Sequence, residues 1–394
     1  MNALFSLLAP AVINGVVSEM KVNNTRLQNF FGGGSGGRNI KRVSGRQFAW
    51  DVFDHTRTVA TARLPGTPPA RVSEKPIAIV QGRFPRVHEA IPLLYEQVHN
   101  QRRIGGVPSD LDLLGKDYIS EQELRLKQKV TNHREFQFAA MLRGAYQYSQ
   151  VGDDLLPAFN AGTGIATINY QVPQGNLGTL DATGDGAIIG TNYWGAAGTP
   201  TIAAPIITQL YSIDTAMQKL TGLRFSNAMC TAQTWGYIQA NTSVIASSGT
   251  ANKVFERLEQ ADGTTEDFTA VLTGVPWVKW HVISEYLYLP TSALADSDRD
   301  NPGSYGAPSA GTQSMISPLQ CIFLPTVSSD WVQYWEGSEV VVEWIGREPH
   351  EEFGEYYYAT PTANPAGYEL ISLLNGIPAL KNPKAFFNGS IATS

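Results

Sequence analysis

A chain of 394 residues that is 43% hydrophobic and only 16% charged has apolar surface enough to fold and is longer than one core usually serves. Its formal charge of −6 argues against a nucleic-acid binder taken as a whole. Two cysteines, Cys230 and Cys321, make neither a disulfide framework nor a metal pattern, and a reducing compartment fits them. The charge is unevenly placed. Residues 1–86 hold twelve Lys/Arg against four Asp/Glu, residues 87–150 eight of each, and residues 151–394 nine against twenty-three. A basic first fifth ahead of an acidic remainder suits either nucleic acid at the arm or the acidic face of another copy.

The opening "MNALFSLLAPAVINGVVSEM" looks like a signal peptide at first sight. It lacks a basic n-region and a small-x-small cleavage site, and it contains Pro10, Asn14 and Glu19. No stretch approaches a membrane span, so a soluble intracellular protein is expected. "LQNFFGGGSGGRNIKR" follows, with a linker-like run (Gly32, Gly33, Gly34, Gly36 and Gly37) between Phe30–Phe31 and the basic Arg38, Lys41 and Arg42. Glycine loses the most backbone freedom on ordering, so this run is expected to act as a hinge or to be held from outside.

From Phe48, Trp50 and Val52, apolar and polar residues alternate as in a strand, and "LPGTPP" supplies dense turn chemistry before Ile77 and Ile79. The pattern predicts a hairpin with arms near 46–63 and 71–84. Eighteen residues in such an arm reach roughly 60 Å, and a lone two-stranded ribbon of that length is marginal in water. It needs a surface to lie on. "SEQE" at Ser120 reads as a capping box that opens a helix running to about Gln150, charged in its first half and buried in its second.

Residues 151–200 are read as short strands and loops. Next, Ile206, Leu210, Ile213, Met217 and Leu220 give a helix with Pro205 near its start and Gly222 as its C-cap. "RFSNAMC" reads as a strand, Thr231 as the start of a second helix and "TANKVFERLEQA" as a third. "WVKWHVISEYLY" and "LQCIFLP" read as strands, 290–314 as a long polar loop, and "EVVVEWIG" and "GYELISLLNG" as closing strands.

The search for chemistry returns little. No Walker lysine follows the glycine run, and no HExxH motif is present, with His133 and His281 isolated. Asp296, Asp298 and Asp300 imitate the start of a calcium loop, but Asn301 and Ala307 stand where glycine and glutamate belong. Glu348, Glu351, Glu352 and Glu355 cluster beside tyrosines, which raises a β-rich glycoside hydrolase as an alternative. Adjacent glutamates do not by spacing alone oppose each other across a substrate, and an acidic turn is the plainer reading. Trp277, Trp280, Trp331, Trp335 and Trp344 sit in strand-like runs, where core or interface roles prevail. No catalytic residue, cofactor or metal is called.

The order of these parts resembles the major capsid proteins of lambda-type tailed phages, which share the Hong Kong-97-like capsid fold. The resemblance rests on the segment ending "LQNFF", the basic arm and hairpin, and the helix "EQELRLKQKVTNHREFQFAAMLRGAY". It continues through "IITQLYSIDTAMQKLTG" and the closing "EYYYATPTANPAGYELISLLNGIPALKNPKAFF". It implies an α+β fold with an N-arm at 1–45 and an extended loop at 46–86. A peripheral domain would take 87–200 and 341–394 around a spine helix at 119–150, and an axial domain would fill 201–340.

It also implies self-assembly through hexamers and pentamers into an icosahedral head shell. The partners would be further copies, a scaffold, a portal and a decoration protein, around double-stranded DNA bound without sequence preference and with no membrane. The place would be the virion, after assembly in the host cytoplasm. Phe30, Phe31, Phe48 and Trp50 are then expected to anchor on neighbouring subunits, with Arg57, Arg63, Arg71 and Lys75 meeting acidic surface there. Some relatives of the fold crosslink lysine to asparagine. Lys75 with Asn364 or Asn382 would be the pair, nothing around them supports it, and no crosslink is expected. An encapsulin-like compartment shares the fold, and a virion protein touching DNA through the basic arm is a further rival.

Overall fold

The computed structural model describes residues 8–20, 22, 25–33, 37–52, 78–94, 111–149, 165–178, 188–189, 192–196, 199–248, 254–260, 268–283, 286–289, 311–317, 319–341, 349–363 and 366–393. The chain opens with two helices, α1 (Pro10–Glu19) and α2 (Arg26–Phe31), before β1 (Ile40–Val43). Strands β2 (Gln47–Val52) and β3 (Ala78–Arg83) then pair antiparallel from Gln47↔Arg83 to Val52↔Ala78. This is the base of the expected hairpin; its further reach, residues 53–77, lies outside the described residues. β4 (Arg86–Leu94) leads towards the long helix α3 (Leu111–Arg143).

That helix corrects the expected start and end. Ser120 lies nine residues inside it, and Glu123 turns into a buried layer rather than back to an N-cap. A capping-box spacing recurs by chance within helices, and the residues before Ser120 are themselves compatible with helix. Gly144, at φ +96°, ends it in a left-handed conformation that glycine adopts freely, well before Gln150. Its burial follows the expected contrast. Ile119, Glu123, Leu126 and Val130 form one buried stripe in the first half, whereas every residue from Arg134 to Leu142 is buried.

Past α3, β5 (Ala145–Ser149) pairs with β6 (Ile165–Asn169), and β7 (Leu177–Gly178), β8 (Gly195–Ala196) and β9 (Thr199–Pro200) are two-residue strands. Helix α4 (Ile206–Thr221) ends at Gly222, φ +71°, as its sequence predicts. Strand β10 (Asn227–Cys230) and helix α5 (Ala232–Gln239) follow, the helix capped by the Thr231 side chain, which accepts from Thr234 N at 3.4 Å. Asn241 caps α6 (Thr242–Ser247).

The expected third helix is a strand, β11 (Phe255–Gln260). It pairs with β12 (Phe268–Leu272), and a bulge between Arg257 and Glu259 turns Leu258 outward. The bulge breaks the alternation that would have marked a strand, and pairing with β12 overrides local helix propensity. β13 (Val275–Val282), β14 (Tyr286–Leu289), β15 (Gly311–Ser314) and β16 (Gln320–Leu324) complete this stretch. The closing strands are β17 (Val332–Val341), β18 (His350–Phe353), β19 (Glu355–Ala363), β20 (Ala366–Leu380), β21 (Phe387–Ser390) and β22 (Ala392–Thr393).

Two sheets organise the fold. A six-stranded sheet runs β1-β17-β20-β19, with β18 on β17 and β4 on β20, and α3 packs on it. A seven-stranded sheet runs β11-β12-β13-β10-β16-β21-β7, with α4, α5 and α6 sharing its apolar core. β17 starts at Val332 yet belongs to the six-stranded sheet, and β21, placed by sequence with the peripheral block, crosses back to pair with β16. No described helix is long and apolar enough to cross a membrane.

Candidate assembly surface: the N-terminal segment and the hairpin base

Each element of the N-terminal segment is fastened to the same chain by a specific polar contact. The Asn14 carboxamide donates to Tyr357 O at 2.8 Å and accepts from Tyr357 N at 3.1 Å, covering the open edge of β19 as another strand would. The Lys127 ammonium donates to Val17 O and Met20 O at the C-terminal end of α1, adding to the single shared cap bond from Met20 N. Helix α2 has no side-chain cap of its own at Thr25. The Glu135 carboxylate on α3 serves instead, accepting from Leu27 N at 2.9 Å and Gln28 N at 3.0 Å.

Of the glycine run expected to act as a hinge, Gly32 and Gly33 are packed against the body of the chain. Gly32 ends α2 at φ +67°, and a Cβ on buried Gly33 would stand 2.5 Å from the Phe138 ring. Asn39 then pins the chain by donating to Phe31 O at 3.2 Å and Val332 O at 2.7 Å, and β1 continues parallel to β17. Gly37 is half-buried, and Gly34 and Gly36 lie outside the described residues.

All four residues expected to anchor on a neighbour make contacts within the chain, three of them fully buried. Phe31 stacks on Phe138 with centroids 5.1 Å apart, and Phe48 on Trp50 at 4.9 Å. The Trp50 indole donates to Leu380 O at 3.1 Å. All three rings are buried, and half-buried Phe30 meets His281 edge-on. Aromatic rings at the foot of a two-stranded ribbon have the sheet beneath them to cover, and that sheet is at hand in the same chain. Arg57, Arg63, Arg71 and Lys75 fall outside the described residues.

Part of the basic charge of the first 86 residues is also answered at home. Arg42 pairs with Glu336 at 3.6 Å, and Arg46 and Arg86 both reach Glu339, which accepts as well from the Asn375 amide at 2.9 Å. The two glutamates are buried while the arginines remain largely exposed. Burial pushes Glu336 up from the ordinary carboxylate range, and Arg134 and Arg42 draw it back. Beneath them, fully buried Arg134 pairs with Glu355 at 2.7 Å and lies over the Tyr334 ring. Burial opposes its charge, and Glu355 and Tyr334 hold it protonated. Tyr334 donates to Gln137 Oε1 at 2.9 Å, and Gln137 in turn to Gly376 O at 2.9 Å.

The chemistry weighed from sequence finds no shared site. Glu355 is bound to Arg134 and to the Tyr357 hydroxyl at 2.8 Å, Glu351 accepts from Ser44 at 3.2 Å, and Glu348 lies outside the described residues. A cavity of about 510 Å³ opens beside Ala9, Asn14, His350, Glu352 and Tyr356, with Glu352 as its only carboxylate among the described residues. A paired acid and base are therefore not presented there.

His133 and His281 are packing residues. Burial lowers each to about 4, aided by Arg134 and Lys279 respectively, and they meet Tyr146 Oη at 3.0 Å and Asn227 Oδ1 at 3.2 Å. Cys230 and Cys321 are buried free thiols that burial pushes up. Trp280, Trp331 and Trp335 are core residues and Trp277 packs half-buried against the second core, while Trp344 and the Asp296–Asp300 loop lie outside the described residues. No group of His, Cys, Asp or Glu suited to a metal occurs among the described residues. Asn382, considered for a crosslink, is buried and accepts from Lys384 N at 3.2 Å; Asn364 and Lys75 lie outside.

Sequence reasoning missed Lys127, Arg134, Glu135, Glu336, Glu339 and Asn39. For Arg134, Glu135, Glu336 and Glu339 the signal was charge inside an apolar run, as in "REFQFAAMLR" and "VQYWEGSEVV", where a buried and bonded ion is the physical alternative to an exposed one; Asn39 and Lys127 carry no such signal.

No protein-family model and no curated protein matches the sequence. Solved structures do. A protein assigned as the capsid protein of an Escherichia coli CFT073 prophage shares 10% identity over 99% of this chain and 98% of its own, with a TM-score of 0.51. A phage-related protein of Bordetella bronchiseptica RB50 shares 10% over 96% of each chain at 0.44. The mature capsid of bacteriophage PhiM1 shares 13% over 89% and 85% at 0.39. The chain is thus an α+β protein with the phage capsid fold, the Hong Kong-97-like fold that its sequence resembles.

Proposed function

We propose that this chain is the major capsid protein of a tailed phage, a non-enzymatic subunit that assembles with copies of itself, through hexamers and pentamers, into an icosahedral shell around double-stranded DNA. The observation that carries this reading is the match of nearly the whole chain, in order, to the prophage capsid protein. The surface chemistry agrees with it. Arg42 and Arg46 keep most of their surface exposed above buried glutamates, so they present positive charge to a neighbour without leaving an ion unpaired beneath. Scaffold, portal and decoration proteins would be its further partners, and the virion its place after assembly in the host cytoplasm.

The test is the solution mass of the purified full chain by light scattering, with a negative-stain image of the same sample. Megadalton shells, or rings of five or six subunits, are expected. A stable monomer at 42.9 kDa under all assembly conditions would overturn the reading.

A further inference from the structure

Helix α1 lies across the six-stranded sheet and the first half of α3, closing a separate apolar layer that includes Ile13, Val17, Leu93, Leu126, Tyr357 and Leu370. Glu123 sits in the middle of the α3 stripe facing that layer, between Ile119 and Leu126, and is 3% exposed. It makes no hydrogen bond or ion pair among the described residues. One turn further along α3 is Lys127, the spacing at which glutamate and lysine pair most readily on a helix. The Lys127 ammonium points elsewhere, to Val17 O and Met20 O on α1.

We propose that Glu123 and Lys127 form a proton-controlled latch for α1. While Glu123 is neutral, Lys127 is free to hold the C-terminal carbonyls of α1 and the helix stays down. When Glu123 ionises, a bare carboxylate in an apolar layer requires a cation, and Lys127, one turn along the same helix, is the one that a side-chain rotation would bring to it. Taking it removes the contact that secures the end of α1, and the helix lifts.

Other titratable groups surround the layer: His350 and Glu352 of β18 pair at 3.6 Å beside the first turn of α1, and the Tyr118 and Tyr368 rings pack in the layer itself. Lys129 pairs with Glu89 of β4, Arg125 with Glu121 on the outer side of α3, and Arg134 with Glu355 of β19. His88 of β4 meets the Tyr358 hydroxyl, Tyr357 donates to Glu355, Glu369 of β20 is half-buried, and Glu19 is exposed at the end of α1.

Burial pushes the Glu123 carboxyl from 4.5 up to about 7. The docked state therefore binds more protons than the lifted one between those values, so docking weakens as pH rises through that interval. Lys127 is lowered by burial and drawn back by Glu355, so it remains the cation of the pair.

Hydrogen exchange of the full-length chain at about pH 5.5 and about pH 8.5, corrected for the chemical exchange rate, tests the latch. The amides of Ile13–Met20 should lose about tenfold or more of their protection at the higher pH, while those of α4 keep theirs. In Glu123→Gln the protection of α1 should be the same at both values, and in Lys127→Met it should be low at both. A wild-type α1 indifferent to pH, a loss shared equally by α4, or a Glu123→Gln variant that still responds would each overturn it. Should Glu123→Gln fail to fold, the contrast of α1 with α4 in the wild-type chain decides alone.

Discussion

Around the spine helix α3, Arg134, Glu135, Gln137, Glu336, Glu339 and Asn375 are all buried and hydrogen-bonded or ion-paired. The core over the seven-stranded sheet is instead built from Ile206, Leu210, Ile213 and Met217 of α4 against Phe225, Trp280 and Phe323. The difference follows the path of the chain. The first region gathers residues 26–33, 37–43, 134–137, 332–341, 355–363 and 366–376, pieces far apart in sequence whose docking has many near-equivalent registers. Directional bonds between buried charges select one of them. In the second, α4, β10 and α5 follow one another directly, and short connections already fix most of the arrangement.

The largest expected effect breaks the first region. Arg134→Ala strips the buried partner from Glu355 and should cost about 3–5 kcal/mol in denaturant unfolding, because an uncompensated carboxylate is left inside. Gly33→Ala comes next. Its new methyl meets the Phe138 ring and Tyr334 Cβ at 2.5 and 3.1 Å, so about 1–3 kcal/mol of overpacking should appear, with looser docking of residues 26–43 under limited proteolysis.

Acid should weaken the first region. His133 and His281, the second of which meets Phe30 of the arm edge-on, both have folded values near 4 against 6.5 unfolded. The unfolded chain therefore binds more protons between those values, and stability is lost as pH falls through them. Glu123 acts with the opposite sign between 4.5 and about 7, so unfolding midpoints of the Glu123→Gln chain across that range check the histidine effect; a midpoint that rises on acidification there would contradict it. The smallest effect belongs to the second region. Arg224 pairs with Asp214 at 2.8 Å and covers Trp277, but its side chain is 51% exposed. Arg224→Ala should therefore cost about 1 kcal/mol or less. If it cost as much as Arg134→Ala, the contrast between the regions would be lost.

The same contrast governs what the sequence reveals. Helix α4 with its glycine stop, the Thr231 cap and the foot of the hairpin are written in local spacing. The strand β11 is not, because its bulge erases alternation and only its pairing with β12 defines it. The start of α3 was hidden by a cap motif lying inside the helix. The aromatics of the arm and hairpin read as residues in need of a surface, and in the structure Phe31, Phe48 and Trp50 are covered by residues of the same chain. This depends on where residues 332–380 return, which no local pattern encodes. The glutamates that bind the arm were passed over for the same reason.

The central claim is that the chain keeps the described residues between 8 and 46 on its own body. Arg42 and Glu336 are register partners on β1 and β17, so the double variant Arg42→Cys/Glu336→Cys places two thiols side by side, and the native cysteines are buried. Assembled particles of this variant would be oxidised, sedimented and run on a non-reducing denaturing gel. An intrachain disulfide giving a single band at monomer mass is predicted; a ladder of covalently linked subunits would show that the arm belongs to a neighbour.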